Sequence, residues 1–166
     1  GQEQTVLFFP EYYEAYDEIA PAHIFGRKIV GEGFRARHCF QDDRIVFSAY
    51  DAIFPKACVE EPAQTLCRIA FNRLQYPFQL SSFCRQQYAD FILAHGELIC
   101  QWFVQERRLA DLLFLFEQKL LPIQQITCAL ALAAQSGWSE GNAAMLRFKQ
   151  LQSKNEKTNN YTFDHF

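Results

Sequence analysis

The sequence predicts a mainly α-helical fold of stacked antiparallel helical hairpins, preceded by a short irregular or small-β N-terminal region. From Glu60 to about residue 152, apolar residues recur at the three- and four-residue spacing of amphipathic helices. Pro, Gly and Ser residues divide that stretch into segments of roughly ten to fourteen residues, a common helix length. Hydrophobic residues make up 49% of the chain and charged residues 21%, which is enough to form a core.

These observations predict three parts. Residues 1–59 are expected to form an irregular or short-stranded segment packed on the helices. Residues 60–152 are expected to form the helical-hairpin domain, and residues 153–166 a polar, frayed tail.

The N-terminal segment has weak periodicity and is predicted as short strands and turns. One helix is expected to begin at Pro10, because Glu11, Glu14 and Glu18 would share a face, and to end before Pro21. Strands are expected at residues 5–9, 27–30, 34–40 and 44–47, with turns at 31–33 and 41–43.

Six helices are predicted from Glu60 onward. The first follows Glu60-Glu61-Pro62, since acidic residues and proline suit a helix N terminus, and it ends at Tyr76-Pro77. Ser81 or Ser82 caps the second. The others are expected at about residues 97–105, 108–119, 124–135 and from Ser139 onward.

The short connections between these helices predict antiparallel neighbours. Helices of this length are marginal in isolation, so each hairpin must pack against the next to bury its apolar face. This is the physical logic of a helical repeat stack.

Two segments carry a resemblance to ankyrin repeats. Residues 130–138, LALAAQSGW, resemble the first helix and turn of such a repeat, and residues 109–122, LADLLFLFEQKLLP, are similar to its second helix and exit. Met145-Leu146 follows Leu115-Phe116 by thirty residues, close to the ankyrin period. The resemblance implies an ankyrin-like or α-solenoid-like module.

The sequence also departs from the ankyrin pattern. Cys128-Ala129 stands where the pattern has Thr-Pro, Ala131 replaces its His, and Lys119 replaces its usual Gly. These departures argue against the β-hairpin finger of ankyrin repeats and favour degenerate helical pairs.

A second resemblance covers more of the chain. Residues 31–40, 48–54 and 73–81 are similar to uncharacterised bacterial proteins that carry such helical modules, sometimes beside leucine-rich repeats. This resemblance implies a protein-interaction or scaffold role without chemistry, and it supplies no functional residues to transfer.

The charge and hydropathy pattern limits the partners. The net charge is −3, without the basic surface that neutralises phosphates, so nucleic acid is not expected as a partner. The longest apolar runs, residues 112–116 and 129–134, are far shorter than a membrane span. A protein partner is expected from the helical-hairpin spacing, the ankyrin-like segment and the lack of a convergent polar site.

Six cysteines are scattered without a CxxC pair, and several fall on apolar helix faces. Free thiols in a reducing, cytoplasmic compartment are the favoured interpretation, although the start at Gly1 leaves a removed signal peptide open. His38-Cys39 has no second ligand pair at zinc-finger spacing. No metal or cofactor is predicted.

Two motifs resemble catalytic signatures. Gly137-Trp138-Ser139-Glu140-Gly141 matches the nucleophile elbow, which requires a preceding strand, whereas the residues before it read as helix. Residues 31–36 match G-x-G-x-x-A, but no βαβ alternation follows. Both motifs are interpreted as turns, and no catalytic residue is predicted.

Trp138, Arg35 and Arg37 are the candidate partner contacts. Trp138 falls in a turn between helices, where it could serve as an aromatic anchor, and the two arginines form a small basic cluster with His38. The alternative hypothesis is an enzyme or small-ligand site in the N-terminal segment, formed by Arg35, Arg37, His38, Asp42 and Asp51. A third is that the aromatic face packs against a part of a larger protein.

Overall fold

A computed structural model describes residues 5–11, 13–19, 24–30, 33–42 and 44–161, and only the backbone of residues 13–19, 24–30, 33–34 and 156–161. This part of the chain is mainly helical, with a small N-terminal sheet, as predicted. Contacts divide the chain into two compact units, residues 1–91 and 92–166. The boundary predicted after residue 59 therefore falls inside the first unit.

The N-terminal sheet is a hairpin of strands β1 (Tyr13–Ile19) and β2 (Ile24–Val30). The strands are antiparallel, and their register pairs Tyr13 with Val30 and Ile19 with Ile24. The strand predicted at residues 27–30 is confirmed as part of β2, whereas the helix predicted from Pro10 is wrong. Tyr and Ile favour strands. The backbone groups of β1 form their hydrogen bonds with β2, and the local spacing of glutamates does not reveal this pairing.

Residues 5–9 form no strand, contrary to the prediction. They are held in the first unit through side chains and carbonyls instead. The Tyr50 hydroxyl donates a hydrogen bond to the Phe8 carbonyl, and the Phe9 ring lies 5.7 Å from that of Phe40 and 5.5 Å from that of Tyr50.

The strand predicted at residues 34–40 is also wrong over most of its length. Helix α1 (Gly33–Arg37) occupies it, followed by the short strands β3 (Phe40–Gln41) and β4 (Arg44–Ile45). Ala36 and Cys39 are three residues apart and both buried, a helical spacing. Asp42 has a positive φ in the predicted turn, and Asp43 and Gly31-Glu32 lie outside the described residues.

Helix α2 (Phe47–Glu60) was not predicted, although its burial follows the helical period. Tyr50, Asp51, Phe54 and Ala57 are its buried residues. Pro55 lies inside it, where a proline removes one backbone hydrogen bond. Tertiary packing therefore outweighs the cost of this proline, and the strand predicted at residues 44–47 ends at Ile45.

The six helices predicted after residue 60 are confirmed with small shifts of their ends. They are α3 (Ala63–Gln75), α4 (Ser82–Ala94), α5 (Gly96–Gln105), α6 (Leu109–Glu117), α7 (Ile126–Gln135) and α8 (Ser139–Tyr161), with a 3-10 turn at Ile123–Gln125 before α7. The Ser81 hydroxyl accepts a hydrogen bond 3.1 Å long from the Cys84 amide, so Ser81 caps α4. Helix α8 continues to Tyr161 and so includes the first part of the polar tail predicted from Ser153.

Packing within each unit follows these elements. In the first unit α2 packs against α1 and α3. In the second unit α5 packs against α6 and α7, and α8 packs against α6 and α7. The core of the second unit includes Ile99, Phe103, Leu112, Leu115, Ile126 and Met145, each fully buried.

Candidate functional site

The most concentrated polar chemistry in the described residues is a buried cluster of Asp51, Arg73 and Tyr88. Helices α2, α3 and α4 each contribute one member. Arg73 is fully buried, and Asp51 and Tyr88 retain 2% and 1% of their exposure. Arg73 stands on the inward face of α3 with Leu66, Ile69, Ala70 and Leu74, which positions a cation in an otherwise apolar core.

The three side chains satisfy one another. Arg73 Nε and Nη2 donate to Asp51 Oδ1 and Oδ2 at 2.8 and 2.9 Å, a two-point pair of the kind guanidinium forms with carboxylate. The Tyr88 hydroxyl donates to Asp51 Oδ1 at 2.8 Å. The remaining Arg73 bonds run to the carbonyls of Tyr76 and Phe78, both at 3.1 Å, and its guanidinium lies 5.2 Å from the Phe47 ring centre.

Electrostatics keep Arg73 and Tyr88 each in one protonation state. Burial acts to lower the pKa of Arg73, but the hydrogen bond and charge of Asp51 outweigh it and raise that pKa. Burial, followed by the charge of Asp51, raises the pKa of Tyr88. Arg73 therefore stays cationic and Tyr88 stays a neutral donor across physiological pH.

This arrangement holds the fold and offers no open site. Its three members have almost no surface, so a substrate cannot reach them. Through the Tyr76 and Phe78 carbonyls, Arg73 fixes the connection between α3 and α4. Neither Arg73 nor Tyr88 was predicted as a site residue, although a lone arginine within the apolar stripe of α3 was a signal for a buried partner.

The residues of the alternative ligand-site hypothesis do not share one environment. Arg35, Arg37, His38 and Asp42 are exposed, whereas Asp51 is buried against Arg73 and Tyr88. Asp51 is therefore not accessible to a ligand that would contact the other four.

Trp138 lies inside the second unit, with 6% of its surface exposed. Its indole covers Gly141, and a Cβ added to that glycine would overlap the ring. Arg35 and Arg37 lie in α1 and are exposed. Contact of a partner with these three residues stays a prediction, and Trp138 offers it the least surface.

The Gly137–Gly141 motif is a turn between helices, as the sequence analysis interpreted it. Helix α7 precedes it where a nucleophile elbow requires a strand. Gly137 has a φ of +67°, which ends α7, and Ser139 is the first residue of α8.

The turn that joins α5 to α6 has the same hydrogen bonds as the turn that joins α7 to α8, thirty residues later. Arg107, with a φ of +54°, stands where Gly137 has +67°. The amide of Arg108 donates to the Phe103 carbonyl at 2.8 Å, and that of Trp138 donates to the Ala133 carbonyl at 2.9 Å. Four further amide bonds of each turn match at the same offset.

The residue that follows the positive-φ position is Arg108 in the first turn and Trp138 in the second. In both turns its side chain contacts the residue three positions further along the chain. Arg108 bonds Asp111 at 2.7 Å and lies 4.9 Å from the Trp102 and Phe103 ring centres. Trp138 covers Gly141, which is also three residues further on. An ion pair closes the first turn, and an indole packed on glycine closes the second.

Two open clefts are present among the described residues. One, of about 580 Å³, lies in the first unit beside Asp42, Arg44, Phe47, Ser48 and Gln79. The other, of about 520 Å³, lies in the second unit between Phe116, the residues 119–124 that follow α6, and Gln152 of α8. Neither cleft contains any of the buried Asp51, Arg73 and Tyr88.

The six cysteines carry free thiols, as predicted. Cys39, Cys67 and Cys100 are buried, Cys84 and Cys128 are partly buried, and Cys58 is exposed. Within the described ranges, no three His, Cys, Asp or Glu side chains come together in a way that could hold a metal ion. Among the same residues, none of the helices combines the length and apolar character needed to cross a bilayer.

The chain matches no protein-family model, no curated protein and no solved structure. The resemblance to ankyrin repeats and to bacterial helical modules thus rests on the sequence and stays a prediction.

Proposed function

We propose that this chain is a protein-interaction or scaffold module whose second unit consists of two degenerate helical-hairpin repeats, α5–α6 and α7–α8. The observation that carries the proposal is the pair of matching turns thirty residues apart. The residues of the two turns differ, with Glu106-Arg107-Arg108 in one and Ser136-Gly137-Trp138 in the other.

The packing of the helices supports the same interpretation. The first helices of the two hairpins, α5 and α7, pack together, and so do the second helices, α6 and α8. Pairwise stacking of equivalent helices is the arrangement by which helical repeats build extended binding surfaces. The ankyrin-like composition of residues 130–138, with small residues in the first helix, agrees with close stacking.

Apolar residues exposed on both units supply contact area for a protein partner. In the first unit Val59 is 85% and Phe83 70% exposed, and in the second unit Leu151 is 60% exposed. Such residues are individually ordinary on protein surfaces, so the proposal rests on the hairpins and not on them.

The test is affinity capture of the full chain from an extract of its source cells, with quantitative mass spectrometry. We expect at least one protein to be retained near stoichiometry and to be displaced by an excess of untagged chain. The proposal is overturned if nothing displaceable is retained across a range of salt concentrations.

A further inference from the structure

Two classes of equivalent positions, thirty residues apart in the two hairpins, bear on how the hairpins pack. At one class both residues are buried: Ile99 and Ala129, Phe103 and Ala133, and Leu115 and Met145 are all fully buried. The side chains at these positions belong to the core of the second unit.

At positions of the other class, the residue of the first hairpin is buried, whereas the equivalent residue of the second hairpin is not. Val104 is 3% exposed, but Ala134 is exposed. Phe116 is 6% exposed, and its equivalent Leu146 is 44% exposed. Cys100 is 1% exposed, and Leu130 is only partly buried.

The second hairpin is what covers this face of the first. Helix α7 packs against α5, and a Cβ added to Gly96, one turn before Cys100, would meet the side chains of Leu121 and Gln125, which lie just before α7. This burial raises the pKa of Cys100 to about 12. Phe116 lines the same cleft as Gln152 of α8. Leu130, Ala134 and Leu146 therefore occupy, one repeat further on, the positions against which a hairpin packs. We call these three residues the end face.

The described chain does not supply a third hairpin for the end face. The helix equivalent to α6 would end near residue 147, yet α8 continues without a turn to Tyr161. The stack accordingly stops at α8 within the described residues, with apolar side chains on its last hairpin.

We infer that the end face binds a helical hairpin of another protein, stacked as α7–α8 stacks on α5–α6. This inference rests on the proposed function and names the surface and the partner's structure. The occupant follows from continuity with the interface between the two hairpins. Its first helix should present small residues, as α7 does with Cys128, Ala129 and Ala133, because these allow the helices to approach closely.

The experiment is site-specific photo-cross-linking in the source cells, using the full chain with p-benzoyl-phenylalanine in place of Leu146. Leu151 is the matched control position, since it is equally apolar and 60% exposed but lies about 140° around α8 from Leu146. Phe83, which is 70% exposed in the first unit, is a second control position.

We expect a cross-linked product at position 146 and none at position 151. The cross-linked peptide should map to a helical hairpin of the partner. Leu146→Glu should reduce the captured partner at least tenfold, because a carboxylate in a packed apolar interface is desolvated, while Leu151→Glu should change it less than twofold. Far-ultraviolet circular dichroism of both variants should match the unaltered chain.

Each other outcome decides against the inference. Cross-linking at position 146 to a second copy of this chain or to an extended segment contradicts the proposed occupant. Equal cross-linking at 146 and 151 contradicts the end face. If the partner is captured but cross-links only at position 83, this inference fails while the proposed function stands. Loss of capture at every position overturns both.

Discussion

A charge pair removed from water stabilises a fold only when both charges are well hydrogen-bonded. Asp51 and Arg73 meet this condition, since the carboxylate receives two bonds from Arg73 and one from Tyr88, and Arg73 also bonds two carbonyls. The sequence indicated the buried arginine but not its acidic partner. Arg73 falls within the apolar stripe of α3, but Asp51 is 22 positions earlier in a helix that periodicity had not assigned.

Removing one partner of this pair should be costly. Asp51→Ala leaves the Arg73 cation buried and uncompensated, so we expect the free energy of unfolding to fall by about 3–5 kcal/mol. Urea denaturation followed by circular dichroism measures this. Gln86→Ala is the control, because the Gln86–Asp90 hydrogen bond is exposed, and it should cost less than about 0.5 kcal/mol. A loss below 1 kcal/mol for Asp51→Ala would contradict the structural role of the pair.

Buried thiols predict how stability depends on alkaline pH. Burial raises the pKa of Cys67 to about 11 and that of Cys100 to about 12, from an ordinary value of 9.0. Below pH 9 the thiols are protonated in both states and their contribution is complete. Above pH 9 only the unfolded chain releases these protons, so stability falls as pH rises from 9 towards 12, by up to about 1.4 kcal/mol per pH unit and thiol.

The matched variants are Cys100→Ala and Ser153→Ala. Cys100→Ala should make the fall in thermal midpoint between pH 9 and 11 shallower, because one buried thiol no longer titrates. Ser153→Ala removes an exposed hydroxyl and no thiol, so it should leave the slope unchanged. Identical slopes for all three proteins would show that Cys100 is accessible to solvent in the folded chain.

At the scale of secondary structure, the helices after residue 60 could be predicted because their signals are local. Pro62 precedes α3, Ser81 caps α4 and Gly137 ends α7, and each acts on backbone groups within a few residues. Elements of the first unit could not be assigned in this way. Strand β1 depends on pairing with β2, and α2 forms despite Pro55 because Tyr50, Phe54 and Ala57 are buried together.

The matching turns predict opposite effects of two glycine substitutions. Gly137→Ala should lower the free energy of unfolding by about 1–2 kcal/mol, since an L residue is strained at positive φ. A Cβ added at position 137 would meet no atom within 4 Å, so the loss of stability should come from the backbone conformation. Arg107→Gly should raise stability by a few tenths to about 1 kcal/mol, because the strain at φ +54° is removed while chain entropy offsets part of the gain.

Chemical denaturation of both variants measures these differences. Gln135→Ala, at the exposed C-terminal end of α7, is the control and should stay within about 0.5 kcal/mol of the unaltered chain. The two turns are not equivalent if Arg107→Gly destabilises the protein as much as Gly137→Ala does.

At the scale of the whole molecule, the chain divides into two compact units at residues 91 and 92. Hydrophobic periodicity indicated a mainly helical fold, but it did not indicate this boundary, which falls inside α4. Neither periodicity nor local turn signals report where contacts become sparse, since those contacts join residues far apart in sequence.

The division into two units predicts which helices become more dynamic when one contact is removed. Asp51→Asn should raise amide hydrogen exchange in α2 and α3 at least tenfold, since the Arg73 pair joins these helices within the first unit. Exchange in α5–α7, whose buried residues belong to the second unit, should change less than twofold. Mass-spectrometric exchange on the intact chain resolves this, and uniform acceleration across all helices would instead indicate a single cooperative unit.

The sequence by itself determined the helical class, the approximate positions of the six helices after residue 60 and the turn character of the Gly137 motif. These features follow from hydrophobic period and capping chemistry, which act over a few residues. Only the tertiary structure decided that Asp51 pairs with Arg73, that Trp138 packs over Gly141, and that Leu146 is exposed where Phe116 is covered. Each of these depends on which distant surfaces meet, and burial changes the free energy of a side chain more than its local sequence does.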